Sequence, residues 1–325
     1  KVVLIGDNAP RFDHDPTTRE CKGLLVEESR TNIYKYSQDL SNWTIESGGS
    51  VTVNTHISPA GDQTADSLNG TQSGSSAYRT FSLTSGTAYT FTVFLKYVSG
   101  NTNIEIQIGD IPFGGSSGRS RTTFNTSTGA LVSNTGGTAT VNDVVAFPNG
   151  WYRVSITRTP TSTANGFMDI NHTSSTVSTV AVWGAQVEAG SSATSYIPTN
   201  GVTVTRGNER VRMDGEEFTD LYNETEGTFV SQHEILKNQS NMGIITFCKD
   251  FSSAERIELR ATAANSALGR FEVVTGSSSI VSLYSGLSHS GFGAGKNNKY
   301  AFAFKKDETC SRALLIASLL RLPKS

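Results

Sequence analysis

The sequence predicts an all-β chain of two antiparallel β-sandwich modules, jelly-roll in type, in series and preceded by an extended N-terminal arm. Three observations carry this. Segments of alternating apolar and polar residues recur along the chain, which is the two-residue period of half-buried strands. Turn-forming composition separates them, with 31 glycines and abundant Ser, Thr and Asn against a hydrophobic fraction of 36% and a charged fraction of 17%. The 325 residues suffice for two cores, since single domains usually run about 100 to 200 residues.

Taken in order, Lys1-Val2-Val3-Leu4-Ile5 reads as a first strand, closed by Gly6 and Asp7. It is too short for a membrane span and lacks a signal peptide's cleavage region. Pro10 to Pro16 places two prolines around a charged stretch, which favours extended backbone and turns. Gly23 to Glu28 is a short strand with a polar exit. These residues form the arm, 1–33. A first sandwich follows over 34–199. Its clearest strand is Ala88 to Tyr97, with Tyr89, Phe91, Val93, Leu95 and Tyr97 on the core face. Ile104, Ile106 and Ile108 alternate with Glu105 and Gln107, and Tyr152, Val154 and Ile156 alternate with Arg153, Ser155 and Thr157. The closing strand, Thr179 to Glu188, is expected to put Ala181, Trp183, Ala185 and Val187 on one side. Residues 200–226 read as a linker, and a second β pattern occupies 227–325. Its end differs in character: Ser311 to Leu322 is an apolar, helix-like run, read either as a terminal helix or as an altered end that truncates the sandwich.

Composition also excludes function classes. A net charge of −2 supplies no basic field for nucleic acid or an anionic membrane. Cys21, Cys248 and Cys310 are odd in number and far apart, so they read as buried thiols rather than disulfides or metal ligands. The histidines, His14, His56, His172, His233 and His289, are scattered without zinc-ligand spacing. No metal and no cofactor is expected. Asp13 with Asp15, Glu27 with Glu28, and Glu216 with Glu217 are the carboxylate pairs to weigh for glycan hydrolysis. Neighbours at i and i+1 on a strand point to opposite faces, and Glu216 with Glu217 lies in the linker, so no enzyme is expected. Asp13 and Asp15 share a face in an extended strand, but Asp-x-Asp alone is too common to define a cation site. Gly114 to Gly118 reads as a flexible loop rather than a phosphate cradle.

Two segments carry a resemblance. Pro10-Arg11-Phe12-Asp13-His14-Asp15-Pro16, followed by Gly23-Leu24-Leu25-Val26-Glu27-Glu28-Ser29-Arg30-Thr31-Asn32, resembles a recurrent segment of bacteriophage tail-fibre and minor virion structural proteins. Trp183 to Gly190 and Ser195 to Thr199 resemble the W-G-A-Q-[LV]-E-x-G and S-Y-I-P-T endings of the carbohydrate-binding-module-like sandwich that continues such proteins. The pattern from Gly227 is similar to a concanavalin A or laminin-G-type sandwich, which would normally need several more strands than follow Phe304, so the second module is read as either incomplete or non-binding. The resemblance implies a virion structural protein, a tail-fibre or receptor-binding component. Its partners would be other virion proteins, further copies of itself and host-surface polysaccharide, and not nucleic acid or membrane. A head-decoration or connector role is the alternative, and a glycan-degrading tailspike ranks below both. For sugar binding, Trp151, Tyr78 with Arg79, and Trp43 are the candidates, because an aromatic plate with polar neighbours fits a pyranose. Trp183 is expected in the core. For assembly, Glu27, Glu28 and Arg30 are the candidates, through charge pairs that seat the arm on the first sandwich or a neighbouring subunit.

Overall fold

The computed structural model describes residues 9–110, 118–135 and 140–209, and beyond them 216, 220, 223, 225–235, 242–248, 256–262, 268–275, 278–284, 296–305 and 320–321. The chain divides into two compact units, Lys1–Val211 and Arg212–Ser325, and it is all-β.

In the first unit the strands are β1 (Arg11–His14), β2 (Cys21–Leu25), β3 (Arg30–Asn32), β4 (Thr44–Glu46), β5 (Gly49–His56), β6 (Ala65–Gly70), β7 (Ser76–Leu83) and β8 (Tyr89–Ser99). They continue with β9 (Asn103–Asp110), β10 (Arg119–Asn125), β11 (Leu131–Thr135), β12 (Thr140–Phe147), β13 (Trp151–Arg158), β14 (Ala164–His172), β15 (Ser178–Ala189) and β16 (Val204–Arg206). Two six-stranded antiparallel sheets face each other, ordered β11-β10-β9-β14-β7-β4 and β12-β13-β8-β15-β6-β5. The alternation read from the sequence places Ile104, Ile106 and Ile108 against Phe91, Val93, Leu95, Val154 and Ile156 between the sheets. Each such aliphatic or aromatic side chain contributes roughly 1.5–3 kcal/mol by leaving water.

The second sheet is covered on its other side too. Ala65, Phe94, Trp151, Ala181, Trp183 and Tyr196 form a separate apolar cluster, with Ala60 and Phe147 packed against it. Double coverage explains why β8 is buried along both faces of its first seven residues. It also corrects the reading of β15. Between Trp183 and Gln186 the pairing with β8 shifts at a bulge, and Gly184 there takes a positive φ of 65°. The extra residue turns the strand over. Ala181 and Trp183 enter the outer cluster while Ala185 and Val187 enter the core between the sheets, so Trp183 is buried as expected but on the opposite side from Ala185.

The arm folds back on itself as a β1–β2 hairpin, with Phe12 opposite Leu24. Cys21 is exposed, against the expectation of a buried thiol, because β2 belongs to this two-stranded sheet outside the sandwich. Within the segment read as linker, β16 pairs with β3, Val204 opposite Asn32. Asp15 closes a turn, its Oδ1 accepting from the amides of Thr17 and Thr18 at 2.9 and 2.8 Å.

The two segments that carry the phage resemblance meet in a seam. Asn32 is fully buried. Its Nδ2 donates to the carbonyls of Ala185 and Ile197 at 3.3 and 2.8 Å, and its Oδ1 accepts from the amides of Tyr34 and Val187 at 3.0 and 3.1 Å. Gln186 accepts from the Ile197 amide at 2.6 Å and donates to the Ser195 carbonyl at 3.3 Å. Glu188 accepts from the amide and hydroxyl of Thr194. Gly190 lies directly against the Arg30 guanidinium, where a Cβ would collide with it.

The second unit holds β17 (Glu226–Ile235), β18 (Met242–Cys248), β19 (Arg256–Thr262), β20 (Leu268–Thr275), β21 (Ser278–Tyr284), β22 (Lys296–Lys305) and β23 (Leu320–Arg321). They form antiparallel sheets ordered β17-β22-β23 and β18-β19-β20-β21. Leu320 and Arg321 pair with Ala301 and Tyr300 as a strand rather than continuing a helix-like run. The rest of Ser311 to Leu322 lies outside the described residues, as do Lys1 to Ile5, Gly114 to Ser117, Glu217, His289 and Cys310.

Candidate functional site

The tryptophans offer no sugar plate. Trp151, the leading candidate from sequence, is 1% exposed. It does point away from the core between the sheets, as its place after a turn suggests, but the outer cluster covers it and its indole N–H donates to the Ile57 carbonyl at 3.2 Å. Trp43 is buried against Tyr34, edge to face at 4.8 Å, and donates to the Tyr36 carbonyl at 3.0 Å. Arg79 donates to the Asn42 carbonyl and lies 4.8 Å over the Tyr36 ring. These three hold the fold.

Glu27, Glu28 and Arg30 make their charge pairs within their own chain. Glu27 lies between Arg11 at 2.7 Å and Arg206 at 3.2 Å and accepts from the Ser195 amide at 2.9 Å. Glu209 also pairs with Arg11 and accepts from the Glu27 amide at 2.7 Å. Burial alone would raise the Glu27 pKa, but Arg206, Arg11 and Ser195 outweigh it and hold the carboxyl below its usual range. Arg30 pairs with Glu28.

Tyr78 belongs elsewhere. It is half-buried on β7, on the face opposite Ala77 and Arg79, which is the outer face of the first sheet. Antiparallel register lines up a row of side chains across that face: Arg121 of β10, Gln107 of β9, Asp169 of β14, Tyr78 of β7 and Thr44 of β4. Strands lie about 4.8 Å apart, so the row spans about 19 Å. One step along the strands a parallel row runs Thr123, Glu105, Asn171, Ser76 and Glu46. Cation, amides, carboxyls, phenol and hydroxyls thus form one polar ribbon across the strands.

The ribbon is not a solvated face. Gln107 is 3% and Asp169 is 5% exposed. Gln107 donates to Glu105 at 2.7 Å and accepts from Arg119 at 3.4 Å. Asn171 donates to Asp169 Oδ2 at 2.9 Å. Asp169 Oδ1 and Asn171 Oδ1 are buried and make no hydrogen bond. Burial chiefly, with Glu105 and Glu46 adding to it against the Ser76 hydroxyl and Arg119, pushes the Asp169 pKa up to about 8. Burial likewise raises Glu105, opposed by Arg121, Arg119 and Gln107.

Sequence reasoning placed Glu105 and Gln107 on a polar face but passed over Asp169, Asn171, Arg119 and Arg121. Carboxylates close together in sequence do not reveal the group, because these neighbours come from three strands brought into register by the sheet. The available signal was Asp169 between Met168 and Ile170, an acid in the middle of an otherwise apolar alternation. Among the described residues no group of three or more His, Cys, Asp or Glu gathers as a metal site, and no helix is long and apolar enough to cross a membrane.

Fold and site together define a β-sandwich module with a polar, partly unsatisfied ribbon on one sheet face. No protein-family model and no curated protein matches the sequence. Among solved structures the chain is similar to the enzymatically active domain of tailspike protein 4 of bacteriophage CBA120, at 16% identity and a TM-score of 0.30, over 48% of this chain and 21% of that one. It is similar to the CBM22-1 and GH10 modules of the N-terminal endo-1,4-β-D-xylanase 10B of Clostridium thermocellum complexed with xylohexaose, at 14% identity and 0.33, over 52% and 30%. The family 11 carbohydrate-binding module of Clostridium thermocellum, in complex with a β-1,3-1,4-mixed-linked tetrasaccharide, matches at 11% identity and 0.27, over 54% and 98%. This chain spans only 21% and 30% of the tailspike and xylanase chains. At these identities and scores the likenesses assign neither site nor activity to this chain.

Proposed function

We propose that this chain is a non-enzymatic virion structural protein of a phage, a tail-fibre or receptor-binding component, and that its first unit binds host-surface glycan on the outer face of β10, β9, β14, β7 and β4. The observation that carries the binding is the ribbon of Arg121, Gln107, Asp169, Tyr78 and Thr44 lined up across five strands of the outer face. A hydroxyl-rich chain laid across the strands sets an apolar ring face against Tyr78 and its hydroxyls against the partly exposed Arg121, Glu105 and Thr44. The virion assignment rests on the resemblance of the two seam segments to phage structural proteins.

A glycan array probed with the full chain tests the binding, together with an adsorption assay in which the protein competes with the phage. The expected results are binding to host polysaccharide, reduced adsorption, and no reducing ends released from the polysaccharide. Absence of binding with unchanged adsorption overturns the receptor-binding role. Release of reducing ends that is lost in Asp169→Asn or Glu105→Gln overturns the non-enzymatic one.

A further inference from the structure

A sheet ends in strands whose outer N–H and C=O groups form a template for a further strand, and folds blunt such edges with bulges, short strands, lysines or prolines. Most edges of this chain follow that rule. β5, β11, β12, β18 and β21 each end a sheet, and the pairing of each with its neighbour is broken by a register shift. The β1–β2 hairpin carries one as well. β3, β4 and β16 have three residues each, and β23 has two.

β17 is the exception among the described residues. It ends its sheet with β22 as its one neighbour there, and its ten residues pair one for one, from Glu226 opposite Lys305 to Ile235 opposite Lys296. The strand contains no proline or lysine, and its two carboxylates, Glu226 and Glu234, lie near its ends. At the rise of an antiparallel strand the open edge is about 30 Å long. Thr228, Val230, Gln232 and Glu234 are exposed on one face, whereas Phe229, Ser231 and His233 are half-buried on the other.

The strand also fits itself. Antiparallel pairing about a two-fold axis sets like face beside like face only where the axis passes through a residue, because a one-residue slip exchanges the faces. An axis at Val230 would oppose Glu226 to Glu234 of the second copy, like charges directly across a strand pair. An axis at Ser231 opposes Thr228 to Glu234, Phe229 to His233 and Val230 to Gln232, with no like charges opposed.

We propose that β17 is a pairing edge for a second copy of this chain, the two β17 strands running antiparallel about a two-fold axis at Ser231. The two sheets then join as β23-β22-β17-β17-β22-β23. The outer backbone groups of each β17 gain partners, and Phe229 of each copy meets His233 of the other on the half-buried face. The contact is isologous and closed, so it gives a dimer and not a fibre. It draws on no residue of the first unit and stands apart from the glycan-binding reading.

The test uses the full chain. Sedimentation across a concentration series is expected to show a monomer–dimer equilibrium. Val230→Lys with Gln232→Lys changes two exposed side chains and opposes lysine to lysine twice in this register. It is expected to weaken the dimer about tenfold, while the melting curve of the dilute monomer stays near that of wild type. Val230→Lys with Gln232→Glu opposes lysine to glutamate at the same positions and is expected to dimerise as wild type does. Hydrogen exchange of the wild-type chain needs no variant: alternate amides of β17, those directed away from β22, are expected to slow as concentration rises. A monomer at every concentration, a trimer as the smallest assembly, a dimer that the double lysine variant leaves unchanged, or β17 amides whose exchange ignores concentration would each overturn the proposal.

Discussion

The seam between the arm and β15 and the outer face of the first sheet are both built from buried polar side chains, and they differ in which atoms go without partners. In the seam these are the Nε of Arg30 and of Arg206, each on a guanidinium paired with a carboxylate through another nitrogen, and on the outer face they are a carboxyl and an amide oxygen. In the seam, Asn32 uses both donor and acceptor atoms on backbone groups, and Glu27 is matched by Arg11, Arg206 and the Ser195 amide. On the outer face, Asp169 and Asn171 each keep a buried oxygen without a hydrogen bond. A satisfied buried network fixes geometry and costs little once formed, while a partly satisfied one is retained at a cost in stability. The paired charges and backbone-matched amide of the seam place the segments most recognisable in the sequence among the residues that hold this fold.

The largest expected effect falls on the seam. Asn32→Ala removes four hydrogen bonds at once and leaves the buried carbonyls of Ala185 and Ile197 and the amides of Tyr34 and Val187 to find other partners. A loss on the order of 4 kcal/mol is expected in urea unfolding. A change below about 1 kcal/mol would show that the seam is incidental to the sandwich. Glu27→Gln comes next, at about 3 kcal/mol, because it leaves Arg11 and Arg206 without their shared carboxylate.

The two regions also respond to pH with opposite sign. The folded-state pKa of Glu27 is depressed, so its contribution is complete above the unfolded value and is lost as pH falls through the folded one. For Asp169 the folded pKa is raised to about 8. The folded state then binds the extra proton, and stability declines as pH rises from about 4, where the unfolded carboxyl ionises, to about 8. Asp169→Asn is therefore expected to be more stable than wild type above that range, by about 2 kcal/mol or more, and nearly equal to it below about pH 4. Unfolding curves across pH for both proteins check this, and a variant that loses stability at high pH contradicts a protonated Asp169.

Much of the fold was legible because strand alternation is local. Tyr89 to Leu95, Ile104 to Ile108 and Val154 to Ile156 pack as their period requires. Three features were not, each for a reason of distance. The bulge at Gly184 turns β15 over, and no periodicity announces an inserted residue. The cover over Trp151 includes Ala60 and Tyr196, far from it in sequence, so an outward-facing aromatic became a buried one. The ribbon arises only when β10, β9, β14, β7 and β4 pair in register, and of the site residues read from sequence it retains Tyr78 alone.

Tyr78 carries the smallest expected effect on stability and the sharpest test of the comparison. Its side chain is half-buried on the outer face, while Trp151, on the outer side of the other sheet, is sealed in a cluster. If depth of burial divides structure from recognition, truncating the two aromatics must give opposite patterns. Trp151→Ala removes a fully packed side chain and the hydrogen bond to the Ile57 carbonyl, so about 3–5 kcal/mol of stability is lost. Tyr78→Ala is expected to cost less than about 1 kcal/mol in unfolding. It should nevertheless weaken glycan binding about tenfold or more, as loss of a stacking aromatic at a contact centre does. Calorimetric titration of both variants against a bound oligosaccharide, beside their melting curves, measures the two axes. A Tyr78→Ala protein that binds as wild type does would detach the ribbon from recognition, however polar it is.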